Sequence, residues 1–238
     1  EKALHEAKLR TSWLAPDAAY EEAARSFLDA VMDDDGFAAE AAGFAARIGP
    51  AGAINGLAQV VLKLTVPGVP DLYQGTEFWD QSLVDPDNRR PVDFAARMTA
   101  LEAAEAPAAL AQTWRDGRVK QAAIARVLTL RRQAPELFAR GDYTPIAAAG
   151  PCAKRVIAFA RRDGDAALLV VVARLPFGLA VDSRLHVAPA TWAGTTLPLP
   201  AWLNTRTLRD VIDEAGHRAA RALPVGAMLA GLPVAVLT

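Results

Sequence analysis

Apolar residues at Ile54, Leu57, Val61 and Leu64 recur at spacings of three and four, which places them on one face of a helix and predicts a buried helix there. A similar stripe at Ala123, Val127, Leu130 and Leu137 predicts a helix over Val119–Ala139, with Pro135 breaking its last turn and Gly141 ending it. Further helices are expected at residues 1–10, after Pro16-Asp17 with Asp17 in the first turn, and over Phe94–Ala106. The acidic run Asp33-Asp34-Asp35-Gly36 fits a solvated helix end. It lacks the alternating ligands and closing Glu of a calcium loop.

The periodicity then changes. Val156–Ala160 and Ala167–Ala173 are β-rich runs, and the Asp163-Gly164 pair between them, within Arg161–Asp165, is a hairpin signal. Leu197–Trp202, Thr207–Ile212 and Val234–Leu237 are further strand candidates, and Asp71–Gly75 reads as a short strand ending in a glycine turn. Helices followed by strands predict an α+β chain of two units, 1–140 and an antiparallel β unit 141–238. Between them in character lies the stretch Thr76–Asp93, a loop long enough to expect a function from it.

Composition narrows the function. The longest apolar run, Ala166–Ala173, is far short of the ~20 residues that cross a bilayer. Lys and Arg total 26 against 27 Asp and Glu, a net charge of −1 with no dense basic stretch, so a nucleic-acid partner is not expected and a neutral one is. Cys152 is the sole cysteine; with three histidines the chain offers no structural zinc set, and no metal or organic cofactor is expected. His186 and His217 lack matching ligands, and an inert thiol is the simpler reading of Cys152. The chain opens on Glu1 without a signal sequence, which suggests a piece of a longer cytoplasmic protein.

The densest polar and aromatic stretch is "PGVPDLYQGTEFWDQSLVDPDNRRPVDF", Pro67–Phe94. Flat aromatic rings cover the apolar faces of sugars, and carboxylates, Arg and Asn bond their hydroxyls. The same residues also suit an Ω-loop whose Arg–Asp pairs hold its own shape, and both readings stay open on composition. Trp13 and Trp79 are likewise either sugar platforms or packed side chains.

"PGVPDLYQGTE" followed by "DPDNRRP" resembles the eighth strand and following loop of the α-amylase superfamily, the (β/α)8 barrels of glycoside hydrolase family 13. "KLRTSWLAPDAAYE" and "LTLRRQAPELFARGDY" extend the resemblance from Lys8 to about Tyr143, toward the trehalose-forming branch. The resemblance implies the helical C-terminal part of such a barrel including its eighth strand, followed by an antiparallel β-sandwich. It implies a maltooligosaccharide (α-1,4-glucan) substrate, whose reducing-end α-1,4 bond becomes an α,α-1,1 bond by intramolecular transglucosylation. It also implies a retaining mechanism whose carboxylates sit on strands four, five and seven. The strand-seven signature, His-Asp followed by Lys-Arg, is absent here, so no catalytic residue is assigned to this chain and the missing N-terminal part is its first partner.

By the same resemblance, Asp85 and Arg89 grip a glucosyl unit, and Tyr73, Gln74 and Glu77 lie at the site end of the strand. A mutual Asp85–Arg89 brace is the alternative. A different amylase or glucosidase of the superfamily, and a non-catalytic carbohydrate-binding module, remain as other functions.

Overall fold

The computed structural model describes residues 1–82, 90–179 and 185–238. They fall into two compact units: Glu1–Gly49 with Ser82 and Arg90, and Pro50–Gln81 with Pro91–Thr238.

The first unit holds α1 (Lys2–Ala7), α2 (Ala18–Met32) and the part of α3 (Asp35–Thr65) up to Gly49. Asp17 stands just before α2, where its extended backbone lets the carboxylate accept from the Tyr20 amide at 3.0 Å. In the acidic run, Asp33 closes α2 as expected, while Asp34 accepts from the Phe37 amide at 2.9 Å and so opens α3. No residue of α2 is buried, and Phe27 and Phe44 are 72% and 54% exposed.

In the second unit α3 enters the core. Ile54, Leu57, Val61 and Leu64 are all fully buried, on the one face their spacing predicts. Helix α4 (Phe94–Glu102) stops short of the expected Ala106, with Ala104 at φ 47°, and α5 (Pro107–Leu110) starts on a proline at its first turn. After a 3₁₀ segment, Ala111–Asp116, the expected long helix is two: α6 (Arg118–Gln133) and α7 (Pro135–Arg140), split because Pro135 has no amide to continue the ladder. Asp71–Gly75 is not a strand; it is irregular chain leading into a turn over Gln74–Glu77. A strand needs a hydrogen-bonded neighbour, and among the described residues none pairs with it.

The C-terminal half carries a four-stranded antiparallel sheet in the order β1 (Asp142–Ile146), β2 (Val156–Asp163), β3 (Ala166–Ala173), β8 (Val234–Leu237). Two smaller antiparallel pairs accompany it: β4 (Thr196–Pro198) with β7 (Ala222–Pro224), and β5 (Thr207–Arg209) with β6 (Gly216–Arg218). The expected strands at Leu197–Trp202 and Thr207–Ile212 are thus shorter, because their partners are only three residues long. A one-turn helix α8 (Val225–Met228) precedes β8. The β2–β3 turn is tighter than the sequence suggested: Asp163 pairs with Ala166, leaving Gly164 at φ 57° and Asp165 as a two-residue loop.

That tightening places Arg161 inside β2. It is 1% exposed, and its guanidinium donates to the carbonyls of Thr65 at 3.3 Å, Phe138 at 3.1 Å and Gly141 at 3.0 Å. One side chain therefore closes the ends of α3 and α7 onto the sheet. Leu168 to Val172 are fully buried on both faces of β3, so helices and sheet share one core that also holds Val119, Val127 and Val236. No described helix is long and apolar enough to cross a membrane.

A second buried charge, Asp210, follows β5. Its Oδ1 accepts from the amides of Ile212 at 2.9 Å and Val236 at 3.1 Å, stitching this turn to β8. Burial, aided by the neighbouring Asp213 charge, pushes its pKa up to about 7.

Arg161→Met should cost about 3 kcal/mol, because three buried carbonyls lose their donor, and lower Tm by roughly 10 °C in a thermal scan. Asp210 binds its proton more tightly folded than unfolded, so its contribution is complete below about pH 4 and lost as pH rises through about 7. Tm measured across that range should fall with rising pH in the wild type and fall markedly less in Asp210→Asn.

Candidate functional site

The chain leaves α3 at Thr65 and reaches the turn through Pro67–Pro70, with the Lys63 ammonium donating to the Asp71 carbonyl at 3.1 Å. Thr76 folds the turn on itself, its amide and hydroxyl donating to the Tyr73 carbonyl at 3.0 and 2.6 Å. Tyr73 and Gln74 are exposed on this turn, available to a ligand. Glu77 is partly covered and pairs with Arg97 of α4 at 3.1 Å. The structure thus brings together Tyr73, Gln74 and Glu77 on one short turn. Asp85 and Arg89 lie outside the described residues.

The aromatic pair after the turn has a different task. Trp79 donates its indole N–H to the Trp114 carbonyl, and the two rings meet edge to face at 6.4 Å. Gly56 of α3 passes so close that a Cβ there would lie 3.1 Å from the Trp79 ring. Lys120 covers the ring at 5.6 Å and donates to the Phe78 carbonyl at 3.1 Å; burial pushes its pKa down. Trp79 is therefore a packed anchor for the turn and offers no open platform. Trp13 is more exposed, set edge-on to His5 with its N–H directed at Glu6.

Sequence reasoning missed four residues that build this support: Arg97, Trp114, Gly117 and Lys120. Their signals were faint. Arg97 sits one helical turn after Asp93, whose carboxylate caps α4 by accepting from the Ala96 amide at 2.9 Å. Gly117 precedes α6 with φ 82°, and a Cβ on it would come within 2.7 Å of the Trp79 nitrogen and 2.8 Å of the Phe78 Cβ.

Two other features deserve a chemical reading. Among the described residues Glu1, His5 and Glu21 could offer ligand atoms to a metal within 4.8 Å of one another. Glu21, however, already accepts from Thr11 and is bonded to His5 Nε2 at 2.6 Å, contacts that lower its pKa, and Arg25 lies 3.7 Å from Glu1. This arrangement fastens α1 to α2. A cavity of about 390 Å³ lies along α6, lined by Ala100, Leu101, Gln121, Ala125, Thr129 and Val211 among others; Tyr73, Gln74 and Glu77 do not line it.

No family model matches the chain. It is 40% identical over 239 residues to a Mycobacterium tuberculosis protein named "Putative maltooligosyl trehalose synthase", covering all of this chain and 27% of that protein. The solved structure of maltooligosyltrehalose synthase from Arthrobacter ramosus matches all of this chain with 37% identity and a TM-score of 0.80, over 29% of its own length. Over its whole length the chain is similar to maltooligosyltrehalose synthases. It spans just over a quarter of their length. A hypothetical maltooligosyl trehalose synthase of Sulfolobus tokodaii is also similar, at 27% identity and a TM-score of 0.69 over 28% of that chain. These synthases match the chain from end to end, so the likeness extends through the β half, beyond the Lys8–Tyr143 blocks that suggested it.

Gly117→Ala should lose about 2–4 kcal/mol, combining the left-handed backbone cost with a clash against Trp79. Gly164→Ala, where a Cβ meets nothing within 4 Å, should lose only about 1 kcal/mol. Chemical denaturation of the two variants checks the contrast.

Proposed function

We propose that this chain is the C-terminal part of an enzyme that forms maltooligosyltrehalose, a (1→4)-α-D-glucan 1-α-D-glucosylmutase of the cytoplasm. The observation that carries this reading is the end-to-end likeness to maltooligosyltrehalose synthases, 37% identity at a TM-score of 0.80 to the solved Arthrobacter structure. The exposed Tyr73–Gln74 turn on a rigid support adds to it. Residues 1–140 are then the last part of a (β/α)8 barrel with inserted helices, and 141–238 an antiparallel β-sandwich domain.

In this reading the reducing-end α-1,4 bond is cleaved with retention by carboxylates outside this chain, held ~5–5.5 Å apart across the bond. The released glucose stays in place, and its anomeric hydroxyl captures the glucosyl unit before water does. That partition demands that the glucose be gripped and water excluded. Asp85 accepts from vicinal hydroxyls and Arg89 donates through its planar fork, while Tyr73, Gln74 and Glu77 supply further substrate contacts. Residues 71–81 and 91–97 give the contacts of Tyr73, Gln74 and Glu77 a fixed base. The irregular path at Asp71–Gly75 is consistent with an eighth barrel strand that lacks its two neighbours, since edge pairing alone makes it a strand.

The test compares the complete parent enzyme with the 238-residue chain on maltopentaose. The parent is expected to convert the reducing sugar to a non-reducing product, and the isolated chain to leave it unchanged. A hydrolase would instead raise reducing sugar, and conversion by the isolated chain, lost with one of its own carboxylates, would refute the assignment of the catalytic groups elsewhere.

A further inference from the structure

Arg97 is only 17% exposed along its side chain, and its guanidinium is engaged on every edge. Nε donates to Glu77 Oε2 at 3.1 Å, one terminal nitrogen donates to the Asp93 carbonyl at 3.0 Å, and the other to the Gly75 carbonyl. Its flat face lies 4.6 Å from the centre of the Phe78 ring. The position of Arg97 is itself set from α6, where Gln121 donates to its carbonyl at 2.9 Å. A planar cation with donors fixed in one fork thus joins Gly75, Glu77 and Phe78 on the turn to the first residues of α4.

Among the described residues, Arg97 and Val92 define the turn at this end. Glu77 is joined to the helix by Arg97, and Gly75, at φ 88°, packs so closely on Val92 that a Cβ would approach to 2.9 Å. Trp79 and Lys120 anchor the chain after Phe78, and Thr76 closes the turn only on itself. The carboxylate of Glu77 and the carbonyl of Gly75, the residue after Gln74, are therefore held by the guanidinium.

We propose that Arg97 is a positioning residue for glucan recognition, holding the Gly75 carbonyl and the Glu77 carboxylate so that Gln74 and Glu77 meet sugar hydroxyls in one geometry. This rests on the reading that the turn faces an α-1,4-glucan. Arg97 itself touches no substrate and acts through Glu77. A plain structural brace would show differently: it would lower stability and leave the kinetics of the folded molecules unchanged.

The experiment uses the complete parent enzyme and maltopentaose, with Tm, kcat and KM measured on the same preparations of wild type, Arg97→Lys, Arg97→Met, Glu77→Gln and the Arg97→Met/Glu77→Gln double variant. Arg97→Met is expected to raise KM at least about tenfold, the worth of one misplaced charged hydrogen bond, with kcat changed less. Arg97→Lys should recover part of the loss, since an ammonium can keep one contact but not the fork. The double variant should resemble Arg97→Met, because Glu77 and Arg97 act as one unit. Wild-type KM in folded Arg97→Met, or losses in the double variant equal to the product of the two single losses, overturns the proposal while leaving the function intact. If Arg97→Met does not fold, Arg97→Lys decides: an unchanged KM there overturns it. A wild-type parent that makes no non-reducing product removes the functional reading and this inference together, an outcome distinct from failure of the variants alone.

Discussion

The helical and β parts of the larger unit are held to one another by a buried guanidinium. Arg161 reaches out of β2 to the carbonyls that end α3 and α7, groups a helix always leaves without internal partners. Burying a cation without a carboxylate is costly, and three oriented carbonyl dipoles offset that cost. Arg131 reinforces the junction, donating to the Leu64 carbonyl at 2.8 Å and lying over the Phe138 ring. The chain after α3 then meets α4 through the Glu77–Arg97 pair and α6 through the Lys120 bond to the Phe78 carbonyl.

The turn shows a division of labour between neighbours in sequence. Phe78 and Trp79 are absorbed into the support, by Arg97, Lys120 and the close glycines Gly56 and Gly117. Tyr73 and Gln74 are left at the surface. The turn thus presents two exposed polar side chains on a packed base. The aromatic content that suggested sugar stacking thus serves mainly to hold the polar groups in place.

The smaller unit exposes apolar side chains. Helix α2 has an apolar stripe, yet none of its residues is buried, and Phe27, Phe37 and Phe44 are exposed.

Much of this was written in local pattern. The three-and-four spacing of Ile54, Leu57, Val61 and Leu64 determined which side of α3 is buried, Asp17 and Gly141 marked helix ends, and the Asp-Gly pair marked the β2–β3 turn, all because these signals act within a few residues. The motif around Tyr73 and Glu77 suggested a site there by family resemblance, and the structure shows the turn itself, with Tyr73 and Gln74 exposed and Glu77 paired with Arg97. Tertiary structure decided what depends on remote partners. Arg161 looked like a hairpin residue until the Asp163–Ala166 pairing drew it into β2 and under two helix ends. Asp71–Gly75 had strand composition but no neighbouring strand among the described residues, so it stayed irregular. Arg97 became the hub of the turn through Gly75, Glu77 and Phe78, with Gln121, 24 residues further on, donating to its carbonyl. Propensity and periodicity are properties of a segment, whereas hydrogen-bond partners and buried charge are properties of the space that other segments enclose.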